Sequence, residues 1–304
     1  MTDTLTCVFR LLDLQSARTH RFEAAGDWSF RFPAREALKF AAVLRGACWM
    51  LHDGAPPLRL SAGDVFLLTE SPAYVLASDP ALPPEDGVPL FAGGSTGRYG
   101  GDEVVLIAGS FSASAQHRAL LTGALPRVLH LPAGTPAAPA LRRTLETMAE
   151  EFDRPGLGTD LVLQHLADLL LVHVLRAHAH EGDGARRSGW IGALADQRLG
   201  AALDALHAAP ERPWTVAEMA RVAGMSRSSF AAAFRERVGL APMAYLNGWR
   251  MQLADELLRQ GTGVGQVATR LGYTSQSAFG AAFRRARGIT PRAAAAAELR
   301  SSRE

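Results

Sequence analysis

The sequence predicts a two-domain α+β protein: an N-terminal antiparallel β-barrel, a helical connector, and a C-terminal all-α domain with two helix-turn-helix motifs. Three observations lead to this fold class. The chain of 304 residues is long enough for two domains and a connector. Short apolar runs alternate with turn residues between positions 28 and 112, and a 17-residue segment near the C-terminus nearly repeats itself 49 residues further on. The predicted domain ranges are 1–135, 136–188 and 189–304.

The N-terminal part has the pattern of short strands. Residues 28–32, Trp-Ser-Phe-Arg-Phe, alternate apolar and polar side chains with a period of two, as a half-buried strand does. Many short strands at this spacing indicate an antiparallel sandwich or barrel. The segment 83–101 is rich in Pro and Gly and is predicted to be a long loop. Further strands, with turn residues between them, are predicted at 38–51, 58–60, 65–68, 74–77 and 104–107.

Residues 136–188 are predicted to form the helical connector. Helices are expected over 140–152 and 161–176, and the second is apolar over most of its circumference. Such a helix must be buried, either against the barrel or against a second subunit. The polar, Gly-rich segment 180–189 is the expected flexible boundary before the C-terminal domain.

The repeated segment near the C-terminus has the pattern of a helix-turn-helix. Residues 226–242 and 275–291 are identical at nine of their 17 aligned positions. In the first copy Gly224 ends a short helix, Ser226 can cap the next one, and two Phe side chains follow at helical spacing. A short helix, a Gly-containing turn and a second capped helix are typical of the DNA-binding motif. The corresponding residues are Phe230 and Phe234 in the first copy, and Gly272, a cap at Thr274 or Ser275, Phe279 and Phe283 in the second.

The segment between the two copies and the charge distribution agree with DNA binding. Residues 244–259 predict a helix about 24 Å long, which can hold two reading helices near the ~34 Å spacing of successive major grooves. Residues 211–304 contain 14 Arg, no Lys and seven acidic residues, a balance of +7. The rest of the chain has a balance of −5, so a basic domain is attached to an acidic one.

Six ordered motifs in the last hundred residues resemble the AraC/XylS family of bacterial transcription regulators. The resemblance implies a sequence-specific DNA-binding transcription regulator, which is not an enzyme. An all-helical interaction module with a chance repeat is the alternative. The motifs are Trp214-Thr-Val-Ala-Glu-Met-Ala, Gly224-Met-Ser-Arg-Ser-Ser-Phe, Ala241-Pro-Met-Ala-Tyr-Leu, Trp249-Arg-Met-Gln-Leu-Ala, Val267-Ala-Thr-Arg-Leu-Gly-Tyr and Phe283-Arg-Arg-Ala-Arg-Gly-Ile-Thr-Pro.

The residues expected to contact DNA lie opposite the Phe side chains. If the Phe residues face inward, the other face of each second helix meets the duplex. Arginines there suit phosphates or guanine, whereas the alanines can only contact thymine methyl groups or read DNA shape. The predicted DNA-binding residues are Arg227, Ser228, Ala231, Ala232 and Arg235 in the first copy and Gln276, Ser277, Gly280, Ala281, Arg284 and Arg285 in the second.

The N-terminal strands resemble the cupin-type sensing domain of one branch of this family. The likeness rests on Gly26-Asp-Trp-Ser-Phe, Leu44-Arg-Gly-Ala-Cys-Trp, Leu60-Ser-Ala-Gly-Asp-Val and Leu125-Pro-Arg-Val-Leu-His-Leu. Metal-binding cupins carry imidazole ligands on two strands, and those strands here read Phe40-Ala-Ala-Val and Pro72-Ala-Tyr-Val, without His. No metal and no cofactor are therefore expected.

A small-molecule effector is expected in the barrel instead. Aromatic side chains can line its pocket, although simple core residues are the alternative for each. Cys7 and Cys48 are expected to be reduced thiols, and oxidant sensing by either stays open. The pocket candidates are Trp28, Phe30, Trp49, Phe66 and Tyr74.

The remaining expectations concern partners and location. The sequence has neither a run of 18 apolar residues nor a signal-peptide pattern, so we expect a cytoplasmic protein without a membrane partner. The family resemblance implies double-stranded DNA, an effector and RNA polymerase as partners, and a homodimer formed through the connector. Two alternatives remain: a cupin enzyme fused to a DNA-binding module, and a constitutive DNA-binding protein whose barrel serves only dimerisation.

Overall fold

The computed structural model describes residues 18–112, 125–181, 190–194 and 196–295, together with residues 5, 6, 9, 15 and 16. The chain divides into two compact units. We call residues 12–186 the sheet unit, and residues 187–304, which cluster with residues 1–11, the helical unit. The two helices of the predicted connector belong to the sheet unit.

The strands of the sheet unit form two open sheets. The larger has the order β10-β2-β11-β4-β7-β12, with β1 also paired to β11, and the smaller has the order β6-β5-β8-β3-β9. Most neighbours are antiparallel, but β10 runs parallel to β2, and β9 runs parallel to β3. The strands are β1 Gln15–Ser16, β2 His20–Ala24, β3 Ser29–Phe32, β4 Leu38–Arg45, β5 Ala47–His52, β6 Leu58–Ser61, β7 Val65–Leu68, β8 Tyr74–Ala77, β9 Glu85–Asp86, β10 Thr96–Tyr99, β11 Val104–Ser112 and β12 Val128–Leu131.

The coarse prediction of a β-rich N-terminal domain followed by a helical one is confirmed, and the finer prediction of an antiparallel barrel is not. Neither sheet closes on itself, and each contains one parallel pair. The sequence pattern identifies strands because alternation is local. It carries no information about closure, which depends on pairings between strands far apart in the chain.

The predicted long loop at 83–101 is wrong in part. It contains β9, a short 3-10 helix at Val88–Phe91 and β10, which pairs with β2 at the edge of the larger sheet. The Pro and Gly residues give this segment the composition of a loop. An edge strand of four residues nevertheless forms there, because it needs little intrinsic strand propensity once a long-range partner is available.

Aromatic and aliphatic side chains from both sheets form the core of the sheet unit. The ring of Phe22 contacts those of Trp28 and Phe30 edge-on, at centroid distances of 5.1 and 5.9 Å. Gly46 makes the hairpin between β4 and β5 with φ of +74°, and a Cβ there would collide with the carbonyl oxygen of Glu103. The turn is therefore restricted to glycine both by its backbone angle and by its neighbour.

Two helices follow the strands: α1 at Ala138–Asp153 and α2 at Thr159–Glu181. They pack on each other, and α1 also contacts β4 and β11. Residues Thr159–Ala179 are long and apolar enough to cross a membrane by length and composition, a test that the core helix of a globular protein also passes. On α2, Leu170 and Leu171 are buried, whereas Leu161 and Leu169 are exposed. One side of this apolar helix is therefore buried within the sheet unit, and burial of the other side against a second subunit stays a prediction.

The helical unit is an array of capped helices. Ser226 and Ser275 accept hydrogen bonds from the backbone N–H groups of Ser229 and Ala278, at 3.2 and 3.1 Å, so both predicted N-caps are confirmed. The helix that contains residues 244–259 begins at Pro242, a proline suited to a first helical turn. The described helices are α3 Trp190–Leu194, α4 Gln197–Ala208, α5 Val216–Val222, α6 Arg227–Val238, α7 Pro242–Arg259, α8 Val264–Arg270 and α9 Gln276–Arg287.

Candidate functional site

The two helix-turn-helix motifs are α5 with α6 and α8 with α9. Phe230 and Phe234 on α6, and Phe279 and Phe283 on α9, are all 0% exposed. The ring centroids of each pair lie 5.4 and 5.7 Å apart. Because residues three to four positions apart share a helix face, this burial fixes the opposite faces of α6 and α9 toward solvent.

The predicted DNA-binding residues lie on those outward faces. Nine of the eleven are exposed, and the two small residues, Ala231 and Gly280, are half-buried. The turn of each motif uses a glycine with positive φ, Gly224 at +61° and Gly272 at +75°. The exposed residues are Arg227, Ser228, Ala232, Arg235, Gln276, Ser277, Ala281, Arg284 and Arg285.

The arginines of α6 and α9 divide into two groups. Arg237 lies 4.0 Å from Asp196, and Arg287 lies 2.8 Å from Asp255, so these two guanidinium groups hold helices together within the unit. Within the described ranges, no carboxylate pairs with the exposed arginines of the outward faces. Those side chains are available to an anion in solution, and their number suits phosphate contact.

The segment before α5 connects the first motif to the second. Arg250 of α7 donates hydrogen bonds to the carbonyl oxygens of Pro210 and Arg212, both at 2.7 Å. A Cβ at Gly272, in the turn of the second motif, would collide with the carbonyl oxygen of Glu211. Together with α7 itself, these contacts make the two motifs parts of one packed unit rather than two helix pairs joined by a flexible linker.

A buried aromatic cluster supports α7 from the side of α4. The ring of His207 stacks on Trp249 at 4.0 Å and shares a hydrogen bond of 2.8 Å with the hydroxyl of Tyr245. Burial lowers the pKa of His207 to about 3, so its imidazole is neutral at physiological pH. This histidine is part of the packing of the helical unit and not a proton-transfer group.

The sheet unit contains a cavity of about 580 Å³, within the range of small-molecule sites. Of the five predicted pocket residues, the structure places Tyr74 at this cavity. Trp28, Phe30 and Phe66 are buried in the core of the sheet unit, and Trp49 lies on β5 with the guanidinium of Arg59 5.9 Å from its ring. The apolar residues that line the cavity are Phe22, Phe32, Pro33, Phe40, Tyr74, Leu76, Val88, Pro89, Phe91, Ala92, Leu106 and Ala108.

Three basic side chains also line this cavity: His20, Arg35 and Lys39. The Lys39 ammonium lies over the ring of Tyr74, 5.0 Å from its centroid. Burial, with a smaller effect of the Arg35 charge, lowers the pKa of Lys39 to about 8. Burial and the nearby cations also lower the pKa of His20, whose Nδ1 is buried without a hydrogen-bond partner among the described residues.

The basic residues of the cavity were not among the sequence-predicted pocket residues, although the sequence contains a signal. Lys39 is the only lysine in the chain, in a protein that otherwise uses arginine. It stands between Leu38 and Phe40 in β4, where a period of two predicts that neighbouring side chains face opposite sides of the sheet, although Lys39 and Phe40 both line the cavity. Period-two reasoning alone does not tell whether either face meets solvent or a cavity.

The described residues contain no group of three or more His, Cys, Asp or Glu side chains arranged to hold a metal ion. Burial and the charge of Asp64 raise the pKa of the Cys48 thiol to about 12. A thiol of this kind is almost entirely protonated near neutral pH, which disfavours reaction with oxidants. Cys7 lies outside the described residues.

Both the N-terminal and the C-terminal part of the chain match known protein families. A family model described as a cupin matches residues 3–180, and one described as a helix-turn-helix domain matches residues 219–297. An AraC-like transcription regulator of Streptomyces antibioticus is 41% identical over 279 residues, which cover 90% of this chain and 92% of that protein. The HTH-type transcriptional regulator AlkR of Acinetobacter baylyi is 30% identical, again over 90% of this chain and 92% of the relative.

Among solved structures, the DNA-binding domain of AdpA in complex with a target DNA is similar to the C-terminal part of the chain. It is 37% identical and covers 31% of this chain and 84% of that domain, with a TM-score of 0.29.

Proposed function

Since the chain belongs to the AraC-like family of transcription regulators, we propose how its structure performs that function. The outward faces of α6 and α9 bind promoter DNA, and a small molecule held in the cavity of the sheet unit changes this binding. The family relatives are transcription regulators and not enzymes, and we expect this chain to act in the cytoplasm, where promoter DNA is. Recruitment or exclusion of RNA polymerase follows at the promoter.

One observation carries the proposal for DNA: two capped helices, each anchored by two fully buried Phe rings, present arginines without carboxylate partners in the described structure. Arg235 and Arg284 occupy equivalent positions of the two copies, each four residues or one turn beyond the outward small residues Ala231 and Gly280. Guanidinium groups at these positions suit phosphates, which fix the position of the protein on the duplex. The small side chains between them leave room for close approach to the bases and for contact with thymine methyl groups.

The test for this surface is sequencing of the genomic DNA fragments that the purified full-length chain retains at about 0.15 M salt. We expect sharp peaks, and we expect their loss when Arg235→Ala and Arg284→Ala are combined. On a fragment from a peak, the slope of log affinity against log salt falls by about 2, since each phosphate contact contributes about 0.9.

The matched control combines Arg142→Ala and Arg154→Ala, which removes the same charge from exposed positions of the sheet unit. It should leave the peaks and the salt slope in place. Diffuse retention by the unmodified protein, with or without candidate effectors, contradicts the proposal of specific DNA binding.

The cavity supports effector binding because it combines an apolar wall with a few polar groups, as ligand sites do. A ligand changes DNA binding only if it has different affinities for the DNA-binding and non-binding states of the protein. The effect is therefore expected as a shift of DNA affinity in the presence of the ligand, with an equal shift of ligand affinity in the presence of the DNA.

We also propose that the exposed side of α2 is covered by a second copy of the chain. Leu161 and Leu169, two turns apart on one side of the helix, are 57% and 44% exposed, and Leu157 just before the helix is fully exposed. Large apolar side chains in a row on one helix face are typical of an interface. Leu161→Glu combined with Leu169→Glu should convert a dimer into a monomer in sedimentation velocity. An unchanged sedimentation coefficient relative to the unmodified protein contradicts this interface.

A further inference from the structure

We propose that the effector is an apolar organic acid, whose single anionic head lies against Lys39 and whose apolar body fills the cavity of the sheet unit. This inference rests on the proposed function of that cavity. It specifies the chemistry of the ligand from the side chains that surround it.

The first argument is the distribution of polarity in the cavity. Most of the wall is aromatic or aliphatic, with Phe22, Phe32, Phe40 and Phe91 among its members. The ionisable groups on the described wall are a histidine, an arginine, a lysine and the phenol of Tyr74, and no carboxylate lines it. A neutral apolar ligand would use the wall and leave the cations without a counter-charge, whereas an acid uses both.

The second argument is the position of Lys39 itself. It lies on the central strand β4, between β11 and β7, so its backbone is held by pairing on both sides. Its ammonium group reaches the ring of Tyr74, which is itself buried on β8 of the other sheet. A cation held in this way between two sheets is preorganised, because the protein has already paid the entropy of fixing it.

The third argument is the electrostatic state of the empty cavity. Partial burial and the neighbouring Arg35 hold the pKa of Lys39 near 8, which means that the charged form is disfavoured there. An anionic ligand reverses this effect, since an opposite charge within a few ångströms favours the ammonium form. Its binding is therefore coupled to an increase in the pKa of Lys39.

The fourth argument is an orphaned polar atom. Nδ1 of His20 is buried and has no hydrogen-bond partner among the described residues, while the ring of His20 lies 5.0 Å from that of Phe91. Buried polar atoms are generally paired, and this atom, on a residue that lines the cavity, has almost no accessible surface of its own, so the head of a ligand meets it only when the His20 ring turns. The head of an acid supplies oxygen atoms that accept from this nitrogen when it carries the proton.

The experiment uses the full-length protein and the fact that it has one lysine. Reductive methylation with ¹³C-formaldehyde labels Lys39 and the α-amino group and keeps their charge, so the ¹³C spectrum contains a single side-chain signal. The probes are decanoate and decyl phosphate, which share the apolar chain and differ in the head, with 1-decanol as the neutral control and acetate as the control without an apolar body.

We expect decanoate, decyl phosphate or both to shift the Lys39 signal and to raise its pKa, and acetate to have no effect at the same concentration. By calorimetry on the unlabelled protein, the better acid should bind about tenfold or more tightly than 1-decanol, which corresponds to one ion pair in a partly dry site. The relative strength of the two acids identifies the head that the site prefers.

Lys39→Met provides the matched variant, because methionine preserves the length and apolar stem of the side chain and removes the charge. It should bind the acid and 1-decanol with similar affinity, whereas Lys39→Arg should keep the preference for the acid. If the variant does not fold, the labelled unmodified protein still decides the question.

Equal binding of acid and alcohol, binding that leaves the Lys39 signal in place, or no binding of either acid would overturn the inference. The genomic DNA experiment separates this failure from that of the proposed function. Specific DNA binding without acid binding leaves the regulator intact and removes only the effector class.

Discussion

The helical unit and the sheet unit place their candidate functional residues in different ways. The proposed DNA-binding surface consists of two short runs, 227–235 and 276–285, each carried by one helix. The cavity of the sheet unit is assembled from residues between 20 and 110, most of which lie on strands of both sheets and the others in connecting segments and the 3-10 helix. The first kind of site is visible in a local pattern, and the second exists only after the chain has paired strands that are far apart in sequence.

This comparison predicts that the helical unit is sensitive to single core positions. Phe234→Ala should reduce the free energy of unfolding by about 3–5 kcal/mol, since it removes a fully buried ring and leaves a cavity. Chemical denaturation followed by circular dichroism measures the loss. Phe283→Ala at the equivalent position of the second copy should behave alike, and a loss below 1 kcal/mol in either copy would break the symmetry between the motifs.

The contacts of Arg250 in the helical unit do not follow from short-range sequence patterns. Arg250→Ala leaves two backbone carbonyl oxygens without their donor, and we expect a loss of about 2–3 kcal/mol. Arg250→Lys should recover only part of it, because one ammonium group does not reproduce the two directions of the guanidinium fork. An Arg250→Lys protein as stable as the original would show that only the charge matters here. The measurement is the shift of the denaturation midpoint at constant slope.

The pH dependence of stability should identify the buried histidine of the helical unit. The pKa of His207 is about 3 in the folded state and near 6.5 in the unfolded state, so below pH 6.5 the unfolded state binds a proton that the folded state does not. Stability is therefore complete above pH 6.5 and falls by up to about 1.4 kcal/mol for each pH unit below it, or about 2 kcal/mol at pH 5. His207→Phe should flatten the profile between pH 5 and 7; an unchanged profile would assign the acid sensitivity to other groups.

The smallest effect is expected in the sheet unit, with the opposite sign. Lys39→Met removes a partly buried charge from an apolar cavity, so the free energy of unfolding of the protein without ligand should increase by about 1 kcal/mol. The expected increase is this small because solvent still reaches the ammonium group and screens its charge. Thermal unfolding without and with decanoate measures the change. A destabilised variant would mean that Lys39 supports the fold of the sheet unit. The two units would then both depend on buried side chains for stability.

The sequence predicts most of the helical unit because its determinants are local. The spacing of Phe230 and Phe234 gives the buried face, Ser226 gives the cap, and both follow from residues within one or two helical turns. Long-range contacts, such as the tie from Arg250 to the carbonyl of Pro210, 40 residues away, and the stacking of His207 on Trp249, need the tertiary structure.

The sheet unit is less predictable for the same physical reason. Its strands are visible as period-two runs, but the open sheets and the parallel pairing of β10 with β2 depend on long-range hydrogen bonds. The aromatic character of Trp28 and Phe30 predicts pocket residues, whereas both side chains are buried in the core of the sheet unit. The polar residues that distinguish a cavity from a core, His20 and Lys39, are identified only when the two sheets are seen together.

The single lysine has one more consequence. A protease that cleaves only after lysine has one site in the entire chain, the bond between Lys39 and Phe40. That bond lies inside β4, which is paired with β11 on one side and β7 on the other, so an extended segment cannot enter a protease until the strand leaves the sheet. Where opening is fast relative to cleavage, the digestion rate measures the free energy of that opening. The rate at which the intact chain is converted into two fragments, followed by gel electrophoresis, therefore reports how often β4 leaves the sheet.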